Sequence, residues 1–189
     1  MNTLLILVGS QRPDGFNHAL ARAAEALLAP GWRAETFDAL ALLPHLREDL
    51  DEPGQDATLD RFRDAVRRSD AILFVTPEYN GGPPSLIKNA LDHASRPRRD
   101  APIAGMPAAV IGATPTPGAT AAAREALIRG LAIAHAAPVE ATFGVAEAHL
   151  HLDADGYDAA VRAGLRPVLD ALLAAAHRPS PTRDDLVAA

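Results

Sequence analysis

AILFVTPEYNGGPPSLIKNALDHAS, residues 71–95, holds a complete structural unit in one run. Residues 71–76 are apolar up to a terminal threonine, without the alternation of a half-solvated strand. Such continuous hydrophobicity fits a strand covered on both faces, as in a parallel sheet. TPEYNGG (76–82) then gathers a proline, a carboxylate, a phenol, an amide and two glycines into a loop. Pro83 and Pro84 open the next segment, where a helix loses no backbone donor to proline. Beyond them Leu86, Ile87, Ala90, Leu91 and Ala94 recur at helical spacing, so the run reads as strand, loop and helix.

The same unit recurs on both sides. Residues 3–8 are apolar after the first, GSQRPDG supplies turn residues, and Phe16, Leu20, Ala23 and Leu27 mark a helix closed by Pro30 and Gly31. A short second strand is expected at 33–37, followed by an irregular connection, LALLPHLREDLDEPG (40–54). Leu59, Phe62 and Val66 line one face of an amphipathic helix between 57 and 68. After RPRRDAPIAG, the run PAAVIGAT (107–114) predicts a fourth strand, TAAAREALIRGLAIA (120–134) a helix, and PVEATF (138–143) the last strand. DADG (153–156) is a turn signal, and Tyr157, Val161, Leu165, Leu169 and Leu172 continue at helical steps. Pro167 predicts a kink or a helix start within that segment. The expected organisation is one domain over residues 1–178 with a frayed tail at 179–189.

Strands alternating with helices imply right-handed crossovers and a parallel sheet covered on both faces. The expected fold class is therefore α/β, a three-layer sandwich around a five-stranded parallel sheet of order 2-1-3-4-5. In that order ligands bind beyond the carboxyl ends of the first and third strands, where the winding reverses. The loops that meet there are GSQRPDGFN (9–17) and TPEYNGG.

Composition narrows the function. Apolar residues make up 48% of the 189 and charged residues 22%, the balance of a globular protein rather than of a disordered or fibrous one. A net charge of −6 argues against nucleic acid or an anionic membrane as partner. The chain has no cysteine, which removes disulfides, thiolate catalysis and sulfur-ligated metals, and is compatible with a cytoplasmic location. MNTLLILVGSQR has no basic region before its short apolar run and reads as a first strand rather than a signal peptide or membrane span.

GSQRPDGFN offers Ser10, Arg12, Asn17 and the start of a helix, the makings of a phosphate seat, but it is neither a P-loop nor a GxGxxG fingerprint. Glu78 and Tyr79 lack an evident partner and read as turn and packing residues rather than an acid pair. Asp92 and His93 are adjacent on a helix, do not face each other, and are expected at the surface or an interface. His149 and His151, with Asp153, would share one face of a strand, either as a loose metal site or as a polar connection. RPRRD (96–100) is a basic cluster suited to a phosphate group of a ligand, or an ordinary solvated charge run.

GSQRPDGFNHALARAA resembles the GSxRxxSxNxxLA signature of the NADPH-dependent FMN reductase family, and TPEYNGGPPSLIKNALDHAS resembles its TPEYNxSxPGxLKNAxDW segment over about twenty residues without a gap. The resemblance implies a flavodoxin-like fold, bound FMN, and NADPH or NADH as co-substrate. It also implies small acceptors such as quinones, azo or nitro compounds, chromate or free flavin, and assembly as a homodimer or homotetramer. Ser10, Arg12 and Asn17, with the backbone at Gly15 and Phe16, would hold the FMN phosphate. Pro77, Glu78, Tyr79, Asn80 and Gly81 would run along the isoalloxazine ring, chiefly through main-chain contacts, with Thr114 and Pro115 flanking it. No catalytic side chain and no metal is implied, and the alternative is a flavodoxin-like electron carrier without nicotinamide turnover. Gly15 and Gly82 stand where the family has serine, Pro84-Ser85 where it has PG, His93 where it has tryptophan and Met106 where lysine is frequent.

Overall fold

The computed structural model describes residues 1–47, 54–153 and 156–177; the expected tail lies outside them. Strands β1 (Asn2–Val8), β2 (Trp32–Thr36), β3 (Ala71–Val75) and β4 (Pro107–Ala113) pair in parallel, and two short pieces, β5 (Ala137–Pro138) and β6 (Phe143–Val145), complete the edge beside β4. The order β2-β1-β3-β4-β5 is the doubly wound order expected.

The apolar runs of β1, β3 and β4 are continuous because both faces of these strands are covered. Leu4, Ile6 and Val8 of β1 pack under α1 (Phe16–Ala26) and α5 (Ala159–Ala176), together with Leu20, Leu165 and Leu169. Leu5 and Leu7 turn to the other face. There they meet Phe62 of α2 (Ala57–Arg67), Ile87 and Leu91 of α3 (Ser85–Ala94), and Leu127 of α4 (Ala121–Ile133).

Three expectations are corrected. The last strand is split rather than continuous over 138–143. Val139 N–H still donates to the Ala108 carbonyl (2.8 Å), but the next β4 acceptor, the Val110 carbonyl, takes the Thr142 hydroxyl (2.6 Å) in place of a backbone amide. A side chain bridges the gap and the ladder resumes at Phe143 opposite Ile111. Pro167 neither starts nor ends a helix: α5 runs through it, begun by Asp158, whose carboxylate accepts from Val161 N–H (2.9 Å). An interior proline costs about 3 kcal/mol, and burial of Leu165, Val168, Leu169 and Leu172 on both sides offsets it at roughly 1.5–3 kcal/mol per side chain. His93 is not at the surface. It is 2% exposed, and its Nε2 donates to the Pro44 carbonyl (2.8 Å), which also accepts from Asn89 Nδ2 (2.9 Å). The connection after β2 is thereby fastened to α3. Asp92, one position along the helix, pairs with Lys88.

His149 and His151 do not share a strand face. His149 lies in the short turn Ala148–Leu150, and His151 Nδ1 pairs with Asp158 Oδ2 at 2.9 Å. The pieces β7 (Leu152–Asp153) and β8 (Gly156–Tyr157) pair antiparallel. Tyr157, 1% exposed, donates its hydroxyl hydrogen to the Phe16 carbonyl at 3.2 Å, fastening the hairpin to the start of α1. Burial raises the pKa of Tyr157, so this donor stays protonated across the physiological range. Arg166 Nη1 donates to the Leu27 carbonyl (2.8 Å) at the far end of α1, where a cation suits the helix dipole.

Candidate functional site

The site lies at the carboxyl edge, where Val8 pairs with Val75 and Val75 with Ile111. This register sets three loops side by side: 9–15 after β1, 76–84 after β3 and 114–120 after β4. It also leaves β4 two residues longer than β3, so Ala113 has no strand partner on that side. Asn17 fills the place. Its Nδ2 donates to the Ala113 carbonyl (2.9 Å), and Ala113 N–H donates to its Oδ1 (3.0 Å), so the amide side chain pairs like one more peptide of the sheet. The resemblance assigned this side chain to phosphate. At 5% exposure it is given to the sheet, and only its main-chain N–H stays at the helix start.

The first loop is folded on itself. Ser10 Oγ accepts from Arg12 N–H (3.2 Å), and the Arg12 carbonyl accepts from Gly15 N–H (2.9 Å). The helix ladder begins with Ala19 N–H on the Gly15 carbonyl (3.1 Å), so the amides of Phe16, Asn17 and His18 have no intrahelical acceptor. A carboxylate caps each of three other helices: Asp56 on Leu59 N–H (2.8 Å), Glu78 on Ala123 N–H (3.1 Å) and Asp158 on Val161 N–H. No side chain caps α1 and no acidic residue stands in its first turn. Residues 11–14 are exposed, and among the described residues the Arg12 guanidinium has no partner. An uncapped helix start beside a free cation is chemically matched to a phosphate monoester. Gly15 fits the tight turn: a Cβ there would stand 3.0 Å from the Arg12 carbonyl oxygen and 3.2 Å from Arg12 Cβ, so the family's serine would push the turn open.

The second loop is a two-residue hairpin. Tyr79 and Gly82 exchange N–H···O bonds of 3.0 and 3.1 Å around Asn80 (φ 52°) and Gly81 (φ 75°). Two positive φ angles in the middle of a turn define type I′, and Asn-Gly is its favoured pair. Asn80 and Gly81 therefore shape the tip, and Tyr79 stands 57% exposed beside it. Pro77 and Thr76 are buried at its base, with the Thr76 hydroxyl on the Pro77 carbonyl (2.7 Å). A Cβ on Gly82 would meet open space, so the family's serine would fit there.

Glu78, read from the sequence as lacking a partner, has one. Its Oε2 holds Ala123 N–H in the first turn of α4, beside Arg124. Arg124 Nε donates to the Ala119 carbonyl (3.2 Å) and Nη1 to Thr142 Oγ1 (2.9 Å). Burial lowers the Arg124 pKa and the Glu78 charge opposes that shift, leaving the cation intact. The network braces the third loop, in which Ala119 (φ 49°) and Thr120 (φ 56°) are left-handed. Gly112 lets that loop close in, since a Cβ there would lie 2.3 Å from both the Thr76 carbonyl oxygen and Thr120 Oγ1. Thr114 is buried against Thr116 through a 2.9 Å hydroxyl contact, while Pro115 is exposed.

The RPRRD cluster is elsewhere. Residues 98–100 form a short turn beyond the carboxyl end of α3, and Asp100 pairs with Arg67 (3.3 Å) at the end of α2. Because α3 runs back from the site for ten residues, about 15 Å, this cluster sits at the opposite edge of the sheet. It is not a wall of the cleft.

Residues 2–150 match the sequence profile of the NADPH-dependent FMN reductase family. The chain belongs to that family. It is 40% identical over 130 residues, 67% of this chain and 69% of the relative, to a quinone reductase of Pseudomonas putida. An NAD(P)H-dependent FMN reductase of Pseudomonas aeruginosa is 40% identical over 111 residues, 59% of each chain. The solved structure of FerB from Paracoccus denitrificans, a flavoenzyme NAD(P)H:(acceptor) oxidoreductase, superimposes with a TM-score of 0.81 at 30% identity, covering 93% of this chain and 97% of that one. The chain is an oxidoreductase of flavodoxin-like fold, with FMN as cofactor and NAD(P)H as co-substrate. Among the described residues no helix is long and apolar enough to cross a membrane.

Proposed function

We propose that the chain is a cytoplasmic NAD(P)H:quinone reductase, acting as a homodimer or homotetramer, that holds FMN across the three loops. The observation that carries the placement is the uncapped start of α1 beside Arg12, whose guanidinium has no partner among the described residues, while carboxylates meet the starts of α2, α4 and α5. In this reading the amides of Phe16, Asn17 and His18 with Ser10 and Arg12 receive the phosphate. The main chain from Pro77 to Gly81 and the Thr114–Pro115 step border the ring. FMN, when bound, supplies two-electron transfer between the nicotinamide and the acceptor.

The protein's part is placement and access. Glu78 spends its charge on α4, so the ledge offers main-chain dipoles rather than a carboxylate to the ring. Tyr79 and the Asn80–Gly81 tip leave the outer side open, which suits flat acceptors: quinones first, then azo and nitro compounds, chromate and free flavin. The relatives that are quinone reductases support the choice among them. The test is the visible spectrum of the purified protein with FMN, repeated for Arg12→Ala. Flavin bound by the parent and lost from the variant by about 1–3 kcal/mol supports the placement; equal affinity for both refutes it.

A further inference from the structure

His18 fills an unspecified position of the family signature, on the helix start itself. Its Nε2 stands 2.9 Å from the Ser10 carbonyl oxygen. A carbonyl only accepts, so Nε2 carries the hydrogen and donates. This bond has an electrostatic consequence. A loop that receives an anion must present N–H groups and turn its carbonyl oxygens aside. Two carbonyls of this loop are engaged internally: Arg12 by Gly15 N–H and Ser10 by His18. The Ser10 hydroxyl is also fixed, by Arg12 N–H. Without the imidazole, no other donor among the described residues engages the Ser10 carbonyl.

We propose that His18 is a positioning residue of the phosphate seat, setting the preference for a flavin carrying a phosphate monoester over the same flavin without one. The proposal rests on the phosphate placement above. It makes His18 act through Ser10 rather than by touching the ring. It also separates His18 from Asn17, its neighbour on the helix, whose side chain serves the sheet.

The experiment measures dissociation constants for FMN and for riboflavin, by quenching of flavin fluorescence, in the parent, His18→Ala, His18→Leu and His18→Gln. Alanine and leucine remove the donor with smaller and similar volume, and glutamine keeps an N–H donor. Loss of one hydrogen bond predicts FMN binding weaker by about three- to tenfold in the first two, with riboflavin changed less than twofold and FMN binding recovered in His18→Gln. Should His18→Ala not fold, the leucine and glutamine pair decides by the same comparison. Equal losses for both flavins would show a general structural role and overturn the proposal, as would no loss for either. A parent protein that binds FMN and riboflavin equally would overturn the phosphate placement itself. A parent that discriminates while His18→Ala and His18→Leu discriminate to the same degree would overturn only the role of His18.

Discussion

Replacing Asn17 with alanine decides between two roles for one side chain. If the amide held phosphate, the variant would lose FMN affinity with little change in the stability of the flavin-free protein. The structure gives the amide two bonds to the N–H and C=O of Ala113, which is 1% exposed and beyond the reach of β3. Truncation leaves both groups buried without partners. At about 1–3 kcal/mol for each unsatisfied group, the predicted loss is roughly 2–6 kcal/mol of folding stability. Urea denaturation of the flavin-free protein measures it. Asn17→Asp is the sharper control, since aspartate still accepts from Ala113 N–H but sets a second oxygen against the Ala113 carbonyl. A large midpoint shift for alanine, and one at least as large for aspartate, whose buried charge faces the carbonyl, is the expected pattern. A loss under about 0.5 kcal/mol in Asn17→Ala, with FMN affinity reduced tenfold or more, would refute the reasoning.

Other substitutions read other parts of the site. Gly112→Ala forces a Cβ to 2.3 Å from two oxygens and is expected to destabilise by more than about 3 kcal/mol, seen in the same urea titration. Gly82→Ser, at a position open to solvent, is expected to stay within about 0.5 kcal/mol of the parent, whereas Gly81→Val, at φ 75°, is expected to lose at least about 1 kcal/mol. Asp158 has its pKa lowered, first by the Val161 N–H bond and then by the His151 bond. A depressed carboxylate stabilises above its unfolded pKa and loses that contribution as pH falls through its folded one. The stability gap between parent and Asp158→Ala is therefore full at neutral pH and narrows below the ordinary carboxylate range, followed by thermal melts against pH.

Much of this was legible in the residues. Continuous apolar runs at 71–76 and 107–114 announced strands buried on both faces, and alternation with helices implied a parallel, doubly wound sheet. The two loops named from the sequence do meet at the switch point. Side-chain partners separated by long stretches of chain were not legible. Nothing local to Asn17 points to Ala113, 96 residues away, nor does anything near Glu78 point to Ala123. The split of the last strand turned on a threonine hydroxyl replacing a backbone donor, which no periodicity announces. His93 was misplaced because its acceptor lies in the irregular connection after β2, 49 residues earlier. One local signal does carry the site's shape: Asn80-Gly81 is the strongest short hairpin pair, and it fixes the tip of TPEYNGG as a type I′ turn.

The central claim is turnover by one protein with one flavin. The direct measurement is an anaerobic titration of the FMN-loaded protein, first with NADPH or NADH and then with a benzoquinone, following the flavin band near the visible maximum. Bleaching by one reduced nicotinamide and full return of colour on adding one equivalent of quinone is the predicted result. A flavin that neither nicotinamide bleaches, though dithionite does, would contradict the account and leave an electron carrier in its place.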